Sequence, residues 1–123
     1  MDYFQLSAGA LAYLGDSVLE VLVRKSLILK GYEKSARLNS EALNFVTAVN
    51  QCKAFSNIEG LLNEEESAVF RRGKNASHLN IPKSASALEY KIATGFEAIF
   101  GYLHLKGDSE RIDFLFKSAY PEL

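Results

Sequence analysis

Residues 7–31 read SAGALAYLGDSVLEVLVRKSLILKG. Apolar residues recur there at helical spacing, which predicts one helix from about Ser7 to Lys30 with Gly31 as its stop. Leu11, Leu14, Val18 and Leu22 share one face, and Leu19, Val23 and Leu27 fall on another side. A helix apolar over most of its circumference belongs at the centre of a bundle or in an interface. Asp16 sits in the middle of it. A carboxylate in such surroundings is costly unless it is paired, hydrogen-bonded or bound to a metal.

A second helix repeats the pattern, predicted from about Ala85 to Lys106 with Gly107 as its stop. Ile92, Phe96, Ile99, Phe100 and Leu103 are apolar on several sides, and from Ile92 to Leu105 the only carboxylate is Glu97. Ala93, Gly95, Ala98 and Gly101 are small enough to let another helix approach closely. If the two helices cross near Asp16 and Glu97, two carboxylates converge in an oily interior with no arginine or lysine beside them. A hard divalent cation resolves that, and carboxylate oxygens suit magnesium. Pattern alone leaves another reading open, in which each acid pairs with a basic residue from elsewhere or caps a helix. Glu20 lies one turn after Asp16 and is spaced to pair with Arg24.

Between these helices, Leu38, Ala42, Phe45, Val46 and Val49 predict a helical region from about Ser35 through Phe55, with a break inside it. Asn63 reads as an N-cap, and Glu64, Glu65 and Glu66 as a charged helix start. That helix is expected to end at Arg71 and Arg72, with a loop over Gly73–Ser84. A last short helix is expected from a cap at Ser109, with Ile112, Leu115 and Phe116 inward. The sum is five or six helices and no sheet, an all-α bundle in one domain over the 123 residues.

Composition narrows the class. Hydrophobic residues make up 48% and charged residues 24%, an ordinary globular balance. Cys52 is the only cysteine, so no disulfide can form within the chain. The apolar stretch Leu6–Val23 carries Asp16, Glu20 and two glycines, which argues against a membrane span. Met1–Leu6 has no basic run of the secretory kind. A soluble, cytoplasmic protein is expected. The net charge of −1 argues against a uniformly basic nucleic-acid surface, so any such surface must be local. The candidate is the run RRGKNASHLNIPKS, residues 71–84. Its Arg71, Arg72, Lys74, Asn75 and Lys83, with no acid among them, suit a phosphate backbone. The plainer reading is a solvated loop with two arginines at a helix C-terminus.

Leu11–Glu20, with Leu-Gly-Asp-Ser-Val at its centre, resembles the signature helix of the ribonuclease III family, and Gly95–Leu103, with Phe-Glu-Ala, resembles the family's second motif. Four segments together are similar to the mini-ribonuclease III branch, which keeps the catalytic domain and lacks a double-stranded RNA-binding domain. They are LAYLGD at 11–16, RRGKNA at 71–76, PKSAS at 82–86 and YKIATGFEA at 90–98. The resemblance implies the helical bundle of that endonuclease domain and a homodimer. It implies magnesium-dependent cleavage of double-stranded RNA, with Asp16 and Glu97 as catalytic metal ligands, each subunit cutting one strand. It also implies a role in maturing 23S ribosomal RNA precursor ends. The full-length family has acids where this chain has Ala12 and Thr94, so only Asp16 and Glu97 carry over as ligands. Thr94 either orients a metal-bound water or bonds back to its own helix. The competing class is a non-catalytic helical dimer that binds RNA or the ribosome and retains the fold.

Overall fold

The computed structural model describes residues 1–76 and 85–123. Six α-helices follow one another: α1 (Ala8–Leu29), α2 (Ser35–Val46), α3 (Ala48–Ser56), α4 (Glu64–Asn75), α5 (Ala87–Lys106) and α6 (Ser109–Ala119). Short 3-10 turns lie at Tyr3–Gln5 and Glu59–Leu61, and no strand occurs among the described residues.

Local chemistry sets most of the boundaries. The Ser7 hydroxyl accepts from the Ala10 amide and opens α1, and Gly31 follows its end at a φ of 108°. The expected break in the second region falls at Thr47, whose side chain caps α3. Asn63 and Glu66 close a capping box on α4, as Ser86 and Glu89 do on α5. Gly107, left-handed at φ 74°, ends α5 where the sequence places its stop. Asp108 rather than Ser109 caps α6.

One expectation needs correction. α4 does not end at Arg72; it continues through Gly73 to Asn75. Gly73 is not a stop but a contact glycine, because a Cβ there would lie 2.8 Å from the Cα of Gly95 on α5. The remainder of the expected loop, with Ser77, His78 and Lys83, lies outside the described residues. Glu64, Glu65 and Glu66 do form the charged start of α4, but Glu66 is not at the surface. It is 1% exposed and paired with Arg111 at 2.8 Å. Burial pushes its carboxyl up, but the Arg111 guanidinium, the Asn63 backbone amide and the charge of Lys106 together hold it below the usual value.

α5 is the hub. Phe96, Ile99 and Phe100 have no exposed surface, and the helix packs most extensively on α1, then on α4 and α3. Phe55 of α3 stacks on Phe70 of α4 at 4.0 Å and meets Phe96 edge-on at 6.5 Å. Those rings fix α3 and α4 against the stretch of α5 that carries Glu97.

Candidate active site

The site is made by a helix crossing with almost no space in it. A Cβ on Gly15 would lie 1.7 Å from the backbone oxygen of Glu97, and one on Gly101 would lie 1.9 Å from the backbone oxygen of Leu11. α1 and α5 therefore touch backbone to backbone. Asp16 follows Gly15 directly, so the contact that needs glycine also sets Asp16 beside Glu97. The two carboxyl groups are close enough for Asp16 to act directly on the Glu97 carboxyl. The predicted convergence of the two lone acids is thus what the fold produces.

Its surroundings differ from the expected oily interior. Asp16 is exposed, and Glu97 is only partly buried. The reason lies in α1, which turns one side outward along its length: Tyr13 is 83% and Val21 64% exposed. The acid pair sits on a rim that a large substrate can reach. Burial, then the hydrogen bond and charge of Asp16, push the Glu97 carboxyl up to about 9, and only the Gln51 amide works against them. Among the described residues neither acid has an ion-pair partner, so the reading with a basic residue from elsewhere finds no support there. Glu20 pairs with Arg24 at 3.1 Å, as its spacing predicts.

The donor set fits magnesium. Two adjacent carboxylates leave most of a coordination shell to water and substrate phosphates, as that ion prefers. No group of three or more His, Cys, Asp or Glu that could hold a metal exists among the described residues, which suits a closed zinc centre poorly. Ala12 is buried, and the Thr94 hydroxyl donates to the Tyr90 carbonyl at 3.0 Å, so its side chain serves its own helix.

The family model for the ribonuclease III domain matches residues 9–108. The chain belongs to the ribonuclease III family. It is similar to the Mini-ribonuclease 3 of Symbiobacterium thermophilum, 42% identical over 109 residues that cover 89% of this chain and 84% of that protein. The Mini-ribonuclease 3 of Streptococcus pneumoniae is 38% identical over 117 residues, covering 94% and 91%. A crystal structure of a protein from Fusobacterium nucleatum superposes with a TM-score of 0.86 at 32% identity, covering 97% of this chain and 96% of that one. Family membership makes the chain an endoribonuclease. Among the described residues no helix is long and apolar enough to cross a membrane.

In this ribonuclease III chain the basic candidates divide. Arg71 and Asn75 are exposed one helical turn apart on the last turns of α4, with Lys74 half-buried between them. The Gly73–Gly95 contact holds that end of α4 within one turn of Glu97 along α5. Arg72 is engaged elsewhere. Its guanidinium donates to the carbonyls of Phe4 and Leu6 and lies 5.3 Å over the Phe4 ring, tying the N-terminal segment to α4. One site residue escaped the sequence reading entirely. Gln51 of α3 is 3% exposed, and its side chain lies close enough to Glu97 to favour the charged carboxylate. Nothing in Asn50-Gln51-Cys52-Lys53 marks it; its helical spacing to Phe55 is the one local sign that it faces inward.

Proposed function

We propose that the chain hydrolyses double-stranded RNA with magnesium held by Asp16 and Glu97, and that its substrate is a ribosomal RNA precursor matured at the 23S ends. The observation that carries this reading is the pair of adjacent carboxyl groups, built from the two family motifs at the α1–α5 backbone contact and without an ion-pair partner among the described residues. Bound magnesium supplies a polarised phosphoryl oxygen and a water of lowered pKa. Asp16 and Glu97 hold the ion from two helices. Arg71, Lys74 and Asn75, with Lys83 from the sequence reading, take backbone phosphates and fix the duplex over the acid pair. Water adds to phosphorus as the bond to the 3′ oxygen breaks. The products are a 5′ phosphate and a 3′ hydroxyl.

A cleavage assay tests the reading. With magnesium, the chain is expected to cut a long RNA duplex and leave single strands intact; with chelator, neither is cut. Duplex binding without any cleavage would turn the reading to the non-catalytic RNA- or ribosome-binding dimer.

Duplex RNA is gripped through phosphates, so the grip is visible in salt. In metal-free binding, Arg71→Ala and Lys74→Ala are each expected to weaken many duplex sequences alike and to reduce the salt slope by about one. An unchanged slope removes both residues from the interface. Arg72→Ala is expected to act on the fold instead, lowering stability by about 2 kcal/mol through its lost charged hydrogen bonds.

The reading includes a homodimer in the cytoplasm. The exposed apolar side of α1, with Tyr13 and Val21, offers a surface that a two-fold mate can cover. Sedimentation at low concentration checks it, and a stable monomer overturns it.

A further inference from the structure

Three polar or charged side chains are buried among the described residues: Gln51, Glu66 and Thr94. Two of them have purely structural partners. Glu66 pairs with Arg111 and its own helix cap, and Thr94 bonds to the Tyr90 carbonyl. Gln51 is different: it is buried where α3 packs on α5, and the group its side chain acts on is one of the two acids of the site. Burying an amide costs about 1–3 kcal/mol unless it is hydrogen-bonded, and an apolar side chain of the same size carries no such cost.

The setting is rigid. The Gln51 backbone amide bonds to Thr47 at 2.8 Å in the capped first turn of α3. One turn later Phe55 is clamped between Phe70 and Phe96. Phe96 precedes Glu97, so the ring contacts that seat α3 also aim Gln51 at the acid. A glutamate has three rotatable bonds and can turn its carboxylate away from a neighbouring acid. A donor on a fixed helix removes that freedom.

We propose that Gln51 is a positioning residue: its amide holds the Glu97 carboxylate turned toward Asp16 and so sets the affinity of the acid pair for a divalent cation. This rests on the reading of Asp16 and Glu97 as the metal site. Hydrogen-bond partners of metal ligands commonly carry about 10–100-fold in metal affinity, and that is the effect expected here.

The test uses manganese alone as the probe, with no RNA, and reads bound ion by electron paramagnetic resonance. Gln51→Met keeps the length of the side chain and removes the donor. It is expected to weaken manganese binding about 10–100-fold, while thermal melting shows a folded protein. Gln51→Asn keeps the amide but falls one methylene short, and its affinity is expected to lie between. In a Glu97→Gln background, Gln51→Met is expected to add nothing, since the residue it orients has lost its charge. Should Gln51→Met not fold, the Asn variant decides, and wild-type affinity in that variant overturns the proposal. Manganese affinity of Gln51→Met within about two-fold of wild type, far less than such partners normally carry, overturns it where Asp16→Asn has lost the ion. Asp16→Asn binding as tightly as wild type defeats the metal-site reading, and the proposal with it.

Discussion

Replacing either acid by its amide, Asp16→Asn or Glu97→Gln, is expected to lower magnesium-dependent cleavage of duplex RNA by about 10³-fold or more, or ~4 kcal/mol of transition-state stabilisation. The substitutions keep shape and remove one negative oxygen pair from a site that has only two. Single-turnover cleavage reads the loss directly, and a near-normal rate in either variant ends the assignment. The same change in Glu97 has the opposite effect on the metal-free fold. The folded carboxyl titrates at about 9 against an ordinary value of 4.5, so the folded state binds this proton more tightly than the unfolded chain does. Stability from the group is fully present below about pH 4.5 and is lost as pH rises through about 9. Glu97→Gln has no proton to lose. In chelator at pH 8 it is therefore expected to melt above wild type, with the gap closing near pH 4.5. Added magnesium is expected to displace the proton and restore stability to the wild type alone. A lower melting temperature for the variant in chelator at that alkaline pH contradicts the pKa shift. Activity here is held against stability, as is common at functional sites.

The acid pair was legible because Asp16 sits in the middle of an apolar helix and Glu97 is the only carboxylate from Ile92 to Leu105, among small residues that allow a close crossing. How deep the pair sits was not legible. α1 exposes Val21, Ile28 and Leu29, all apolar, so its composition did not reveal which side faces solvent. Charge runs hid distant partners in a consistent way. Glu66 is one of three consecutive acids, yet its partner Arg111 is 45 residues away. Arg72 lies in a basic run, yet its guanidinium serves the carbonyls of Phe4 and Leu6, more than 60 residues earlier. Long-range partners of this kind leave no local period. Gln51 is the functional case. It sits among Asn50, Lys53 and Ser56 and reads as surface until α3 is laid across α5. Gly73 shows the remaining ambiguity, since a glycine that ends a helix and one that lets a second helix approach look alike in sequence.

Gly15→Ala and Gly101→Ala are expected to lower stability by about 3 kcal/mol or more, the upper end for overpacking. The usual escape from a clash is the rotation of a flexible side chain. Here the added methyl meets backbone: the oxygen of Glu97 at 1.7 Å for residue 15, and that of Leu11 at 1.9 Å for residue 101. Relief requires α1 and α5 to separate, and they form the largest helix contact in the fold. Separation also draws Asp16 away from Glu97, so cleavage is expected to fall further than the folded fraction does. Gly9, on the same helix, is the control. It is exposed, and a Cβ there meets nothing within 4 Å. Gly9→Ala therefore adds only helix propensity and is expected to stabilise by up to about 1 kcal/mol with cleavage unchanged. Two glycine-to-alanine changes six positions apart thus carry opposite signs. Melting curves showing Gly15→Ala at or above wild type would mean that the backbones do not meet at this crossing, and the placement of Asp16 beside Glu97 would lose its cause.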